Sequence, residues 1–302
     1  QSFKDQIYAF EHRTMSQSPI DNALVLANAL PDGARLTIVS HSRGGQVADL
    51  LCLKELLSEQ IGRFGRKGDT ASEADQHDQT QLTELARVLR KKRFQVQRVV
   101  RVASPSQGTL LASENLDRFL SVVTSLIGLI PVVGQSPVYQ VIKRITLETA
   151  KRRWDPSVIP GIESMIPQSP LVALLNAPDV QGAGDLGVIA GDIEGGSWFK
   201  RLGVFLTDTV FYENADNDLV VNTNSMFQGV SREKPARYIF DQGADVSHFR
   251  YFRNARTRHL LAQSVTSDPW PPEFRPLAEA KVEPVPMLRA IRHQRACGQS
   301  QA

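Results

Sequence analysis

The feature that most constrains this chain is a buried strand that leads directly into a serine among small residues and then into a helix. Leu36-Thr37-Ile38-Val39 is the short apolar run typical of a buried parallel strand. Ser40-His41-Ser42-Arg43-Gly44-Gly45 follows it, and a helix is predicted from about Gln46 to Leu57. A serine on so sharp a turn presents its hydroxyl at the sheet edge, and the turn requires small residues two positions before and after it. Ser40 and Gly44 hold those positions.

Strand and helix patterns alternate along much of the chain. Further strand patterns occur at Ile7–Phe10, Val96–Val102, Leu186–Gly191 and Arg237–Phe240. Apolar strands separated by helices predict an α/β fold with a mostly parallel sheet flanked by helices.

Two changes in the character of the sequence suggest domain boundaries. From about Leu110 to Asn176 the sequence is helical and apolar, with interspersed Pro and Gly, which predicts an inserted cap. From Ser267 onward proline becomes dense, as in a linker or tail. We therefore expect a core formed by residues 1–109 and 181–266, a helical cap at 110–180 and a Pro-rich tail at 267–302.

Composition excludes some classes of function. The 41% apolar and 22% charged fractions are those of an ordinary globular protein, and the formal net charge is only +3. The basic runs Arg90–Arg93 and Lys151–Arg153 lack interleaved aromatic residues, so we expect no nucleic-acid partner and interpret them as solvated helix ends. Peripheral contact with an anionic membrane remains an open alternative. Two cysteines give no disulfide framework, and the expected compartment is the cytoplasm.

Three side chains are candidates for a catalytic triad. Ser42 is the candidate nucleophile, because a helix N-terminus follows it and the Arg43 amide could stabilise an oxyanion. His248, after the last long strand pattern, is the candidate base. Asp218 precedes an apolar Leu-Val-Val run and is the candidate acid, with Asp216 as the alternative. The competing interpretation of Ser42 is an ordinary strand-to-helix turn with a serine cap.

Four motifs in this order resemble the lipase-type α/β-hydrolases. They are Ser40–Gly45, then Val102–Pro105 with Gly108-Thr109, then Asn217–Val221, then Ser247–Phe249. More narrowly, the chain looks like the hydrolase domains of bacterial proteins that also carry a caspase-like CHAT peptidase domain, and the stretch Leu186–Phe205 fits that narrower group too. The resemblance covers about residues 5–263 and assigns the triad roles to Ser42, Asp218 and His248.

The resemblance implies a carboxylic ester hydrolase that needs no cofactor and no metal. Its expected substrate is an ester or lipid, and a peptidase-type domain, linked or separate, is an expected partner. Such lipases take a second oxyanion-hole amide from a His-Gly loop after an earlier strand, and residues 1–36 contain no matching loop. We therefore expect the chain to start after that strand.

The segment Phe119–Val133 suggests an apolar lid over the site. On that interpretation Leu126, Ile127 and Ile130 bind substrate; the alternative is that they form the core of the cap. Two other functions remain open. One is a peptidase or amidase using the same triad, and the other is a non-enzymatic interaction or regulatory domain of a larger protein.

Overall fold

The computed structural model describes residues 3, 6–13, 16–65, 72–109, 160–167, 169–192, 221, 223–242, 248 and 250–279. The helices in these ranges are α1 (Pro19–Ala29), α2 (Gly44–Leu51), α3 (Ser58–Arg63), α4 (Glu73–Lys92), α5 (Pro160–Glu163), α6 (Pro170–Leu175), α7 (Thr223–Met226) and α8 (Ala255–Thr266), with 3-10 helices at Tyr251–Arg253 and Leu277–Glu279. The strands are β1 (Arg35–His41), β2 (Gln95–Val102), β3 (Gln181–Gly182), β4 (Asp185–Asp192), β5 (Ser231–Arg232), β6 (Arg237–Gln242) and β7 (Arg275–Pro276).

Most of the strands form one sheet. Its order is β1-β2-β4-β6-β7, with the first four strands parallel and β7 antiparallel to β6. Strands β3 and β5 pair separately. The predicted α/β class, a mostly parallel sheet flanked by helices, is confirmed. Because the long strands are parallel, the segments that follow β1, β2, β4 and β6 all leave the sheet at the same end, where the carboxyl ends of the strands lie.

Two clusters of buried apolar side chains hold the helices to the sheet. One is built on β2, β4 and β6 and includes Tyr251, Leu260 and Phe274. The other lies among the first four helices, where Ile20, Ala23 and Ala27 of α1 are completely buried. Their spacing places these three residues on one face of the helix, which packs against α2 and α4. No helix in the described ranges has both the length and the apolarity needed to cross a bilayer.

Three expectations differ from the structure. Residues 7–10 are not a strand, and Ile7 and Tyr8 are largely exposed. The chain beyond Ser267 does not begin as a tail, because Phe274 is buried in the core and β7 extends the sheet. Helix α6, which falls within the expected cap, packs in the core cluster of the first four helices. Pattern alone missed β7 and the buried Phe274 because a two-residue strand and a single buried turn have no periodicity.

A carboxyl group is partly buried where α4 meets the first turn of α1. Burial, and then the nearby Asp21 carboxylate, raises the pKa of Asp78 to about 6. Ser18 caps α1 there, and its Oγ accepts the Asp21 N–H at 3.2 Å. His77 Nε2 lies 3.3 Å from Asp21 Oδ1. Ionising Asp78 therefore adds a negative charge to a region that already contains the Asp21 carboxylate.

Asp78→Asn should stabilise the fold at pH 8 and leave it unchanged at pH 4. The folded-state pKa lies above the usual unfolded value, so the folded protein binds the proton more tightly and loses stability as pH rises from about 4 to 6. Discounted for solvent screening, the gain at pH 8 is about 1–2 kcal/mol in the free energy of unfolding, measured with urea. Asp32→Asn, at an exposed ion pair, is the control with the same change in charge. An equal gain at both pH values would contradict the prediction.

Candidate active site

The turn after β1 places Ser42 in a strained conformation. Its φ is 53°, in the left-handed region, which costs a residue other than glycine about 1–2 kcal/mol. Two hydrogen bonds hold the turn: the Ser42 N–H donates to the Val102 carbonyl at 2.9 Å, and the Gly45 N–H donates to the Ser42 carbonyl at 2.9 Å. Helix α2 begins at the next residue but one. Ser42 therefore stands on a sharp strand-to-helix turn, as the sequence predicts.

His248 and Ser42 lie in direct contact. The distance from His248 Nε2 to Ser42 Oγ is 2.7 Å, and the histidine is 1% exposed. The histidine follows β6, which is separated from β1 by two strands and so by about 14 Å across the sheet. His248 therefore contacts the serine although the strand that precedes it in the chain lies on the other side of β2 and β4.

Hydrogen bonds join β6, which precedes His248 in the chain, to helix α8, which follows it. Asp241, on β6, accepts hydrogen bonds from Thr257 Oγ1 at 2.7 Å and from Arg256 Nη1 at 3.0 Å. Asn254 caps α8 by accepting the N–H groups of the same two residues. The strand before the histidine and the helix after it are thus fixed to one another.

His41, to which the sequence analysis gave no role, contacts the other side of His248. Its Nε2 donates a hydrogen bond to the main-chain carbonyl of His248 at 2.7 Å. The centroids of the two imidazole rings lie 4.9 Å apart with the rings tilted, and the centroid of the Phe252 ring lies 5.4 Å from that of His41 in an edge-to-face arrangement. The signal in the sequence was its position, directly before the candidate nucleophile.

Several predicted site residues lie outside the described residues. Asp218 and its alternative Asp216 are among them, as are Leu126, Ile127 and Ile130 of the expected lid. Val221, three positions after Asp218, is described and is 1% exposed within the core cluster of β2, β4 and β6.

Arg43 lies at the start of α2, where its amide was predicted to face an oxyanion. Among the described residues, no acceptor receives its main-chain N–H. Its buried guanidinium donates to the carbonyls of Gln17 at 3.0 Å and Arg13 at 3.3 Å, and lies 3.3 Å from His12 Nδ1. Burial lowers the pKa of Arg43 to about 10, so it stays charged at neutral pH. Burial and then Arg43 lower the pKa of His12. The segment that precedes α1 therefore contacts the sharp turn at Ser40–Gly45, called the elbow below, through the Arg43 guanidinium, to which the sequence analysis gave no role.

Of the two glycines that follow Ser42 closely, Gly45 is the one whose position leaves no room for a Cβ. A Cβ on Gly45 would lie 1.9 Å from Ser104 Oγ and 2.6 Å from Ser104 Cβ. A Cβ on Gly44 would meet His12 Nε2 at 3.8 Å and Ser40 Cβ at 4.0 Å, which are ordinary contacts. A Cβ therefore fits at position 44 but not at position 45. The reason is that the start of α2 presses Gly45 against the segment after β2.

A buried ionic group anchors α2 to two strands. Asp49, on α2, accepts hydrogen bonds at 2.6 Å from Arg101 Nη1 on β2 and from Arg232 Nη2 on β5. The side chains of all three are at most 1% exposed. Removing one member of such a buried group costs about 3–5 kcal/mol, because it leaves a charge without its partner. The helix that carries the elbow is thus held to two separate strands.

Gly45→Ala should destabilise the protein, whereas Gly44→Ala should be nearly neutral for stability. The added methyl group at position 45 overlaps Ser104, and overpacking of this kind costs about 1–3 kcal/mol. Ser104→Gly removes the obstructing atoms, so Gly45→Ala combined with Ser104→Gly should recover most of the loss. Urea unfolding of the four variants measures the coupling. Strictly additive effects would show that the two positions do not collide.

Comparison with protein families matches residues 1–66 and 79–266 to the family described as "Domain of unknown function (DUF7379)". A search of curated proteins gave no match. The family match spans the elbow, the segment that carries His248, and α8. Since it covers well over half of the chain, this protein belongs to the DUF7379 family.

Proposed function

We propose that this chain is a serine acyl hydrolase of the α/β-hydrolase fold that cleaves carboxylic esters. The observation that carries the proposal is the 2.7 Å contact between His248 Nε2 and Ser42 Oγ on a strained turn. A strained serine that is hydrogen-bonded to a buried histidine is the arrangement that activates a hydroxyl as a nucleophile. Ser42 as a whole residue is only half-buried.

In the proposed reaction, Ser42 Oγ attacks the ester carbonyl and its proton passes to His248 Nε2. The tetrahedral intermediate collapses when Nε2 returns that proton to the departing alcohol oxygen, leaving an acyl group on Ser42. Water then attacks the acyl carbon and gives a proton to His248. Collapse of the second intermediate releases the carboxylic acid, and the proton returns to Ser42 Oγ. The resemblance to lipase-type hydrolases supports the same sequence of steps.

Asp218 is the proposed partner of the imidazole. If Nε2 accepts the serine proton, the neutral His248 ring must carry its hydrogen on Nδ1, and that N–H requires an acceptor. Asp218 lies between β4 and β6 in the chain, which gives the order Ser, Asp, His expected of this fold.

The Arg43 amide is the proposed oxyanion donor. It lies one residue after the nucleophile at the start of α2, where helix N–H groups carry partial positive charge. Removing one oxyanion donor typically costs about 10²–10³ in kcat. The Arg43 side chain supports this role, because its bonds to the carbonyls of Gln17 and Arg13 restrain the backbone that presents the amide.

An apolar acyl group is the proposed feature of the substrate. Phe252 is 41% exposed and its ring packs on His41, so it offers apolar surface within one side chain of the Ser42–His248 pair. Burying part of that surface against an acyl chain would contribute about 25 cal/mol per Å². The apolar segment that includes Leu126, Ile127 and Ile130 supports the same substrate class.

A fluorophosphonate probe should label the wild-type protein, and Ser42→Ala or His248→Ala should abolish the labelling. The probe phosphonylates an activated serine without requiring the natural substrate. Ser40→Ala is the matched control, because Ser40 Oγ is buried two positions away and has no hydrogen-bond partner among the described residues. The control should label at the wild-type rate. Folded protein that takes up no probe would leave an interaction or regulatory domain as the function.

Asp218→Asn should lower the rate of ester hydrolysis by about 10³- to 10⁴-fold, whereas Asp216→Asn should have little effect. An amide at position 218 cannot hold the required Nδ1–H tautomer of His248 or stabilise the imidazolium. Steady-state hydrolysis of p-nitrophenyl esters of graded chain length measures both variants. The opposite ranking would assign the acid to Asp216, the alternative left open by the sequence.

A further inference from the structure

Ser42 and His41 are successive residues that hold the same histidine in two places. Ser42 Oγ contacts the His248 ring at Nε2, and His41 Nε2 contacts the His248 main-chain carbonyl, both at 2.7 Å. In a regular strand, successive side chains point to opposite faces of the sheet. Here the left-handed turn at Ser42 breaks the alternation, so that both side chains approach one residue.

The bond from His41 fixes which atom carries the hydrogen. A carbonyl oxygen only accepts hydrogen bonds, so His41 Nε2 must be protonated. That nitrogen therefore has no lone pair with which to accept a proton from the serine. Nε2 of His41 is thus not available as the base while it makes this bond, although the residue is next to Ser42 in the chain.

We propose that His41 is a positioning residue that sets the distance between His248 and Ser42. The inference rests on the proposed hydrolase function. The Nε2–H of His41 fixes the backbone of His248, and its ring packs against the imidazole at 4.9 Å. The Phe252 edge restrains the His41 ring from another side. Together these contacts limit both translation of the His248 backbone and rotation of its ring.

The restraint matters because His248 contacts the end of β1 although it follows β6, which lies about 14 Å from β1 across the sheet. The tie between Asp241 and Thr257 joins the ends of that segment, but it does not touch His248 itself. A misplacement of about 1 Å between reacting groups can lower a rate 10²-fold. The His41 donor acts at the residue where this error would arise.

The test compares His41→Gln with His41→Met. Glutamine places an N–H donor near the position of Nε2, whereas methionine has similar length and no donor. His41→Phe keeps the aromatic ring without the donor. We expect His41→Gln to be labelled by the fluorophosphonate probe within about threefold of the wild-type rate. His41→Met and His41→Phe should each be slower by about tenfold to a hundredfold. Thermal unfolding establishes which variants are folded, and either donor-free variant suffices.

A second readout is independent of activity. In ¹⁵N-histidine NMR spectra, the His248 ring should give one sharp set of signals in the wild type and in His41→Gln. Exchange-broadened or multiple signals should appear in the donor-free variants. A third readout is the steady-state rate of ester hydrolysis. The donor-free variants should have a lower kcat and an unchanged KM, because the bond from His41 to the His248 backbone does not involve the substrate.

The outcomes separate this inference from the proposed function. A labelled wild type with equal rates for His41→Gln, His41→Met and His41→Phe would overturn the positioning role and leave the hydrolase intact. An unlabelled wild type would end the hydrolase proposal, and the NMR spectra alone would then decide whether His41 orders His248. Sharp His248 signals in the donor-free variants would refute that ordering.

Discussion

The hydrogen bond from the Ser42 N–H to the Val102 carbonyl is the interaction on which the site depends. It joins the end of β1 to the end of β2 at the residue where the backbone enters the left-handed region. Without it, the unfavourable conformation of Ser42 would relax and the serine would turn away from the sheet edge. Strain at a single residue persists when surrounding structure holds it from several sides, and here both flanking elements do so.

Helix α2, the element that follows the turn, is itself well anchored. Asp49 fastens α2 to Arg101 and Arg232, which come from strands far apart in the chain. Gly45 lets the first turn of the same helix rest against Ser104. The Arg43 side chain adds a third attachment, to the carbonyls of Arg13 and Gln17. The helix can therefore hold a fixed N-terminus against a strained turn.

The local part of this arrangement could be predicted from the sequence, because a strand, a turn and a helix in succession depend on near neighbours. The pairing of Ser42 with His248 could also be anticipated, since parallel strands deliver their following segments to one edge. The parts that sequence reasoning missed depend on contacts between distant segments. Neither the bond from His41 to His248 nor the collision avoided at Gly45 has a pattern of its own in the chain. The buried Phe274 was missed for a related reason, since proline density around it outweighed a single apolar residue.

Strand β7, at one edge of the described sheet, affects how readily the protein aggregates at high concentration. Strand β7 is two residues long, and it presents an arginine and a proline, Arg275 and Pro276. A proline has no N–H to offer an incoming strand, and a charged side chain resists burial between two sheets. A strand of a neighbouring molecule therefore meets few backbone groups on β7 with which it could form hydrogen bonds. The sheet is protected there against edge-to-edge aggregation by the segment that, from its proline content, had been expected to lie outside the fold.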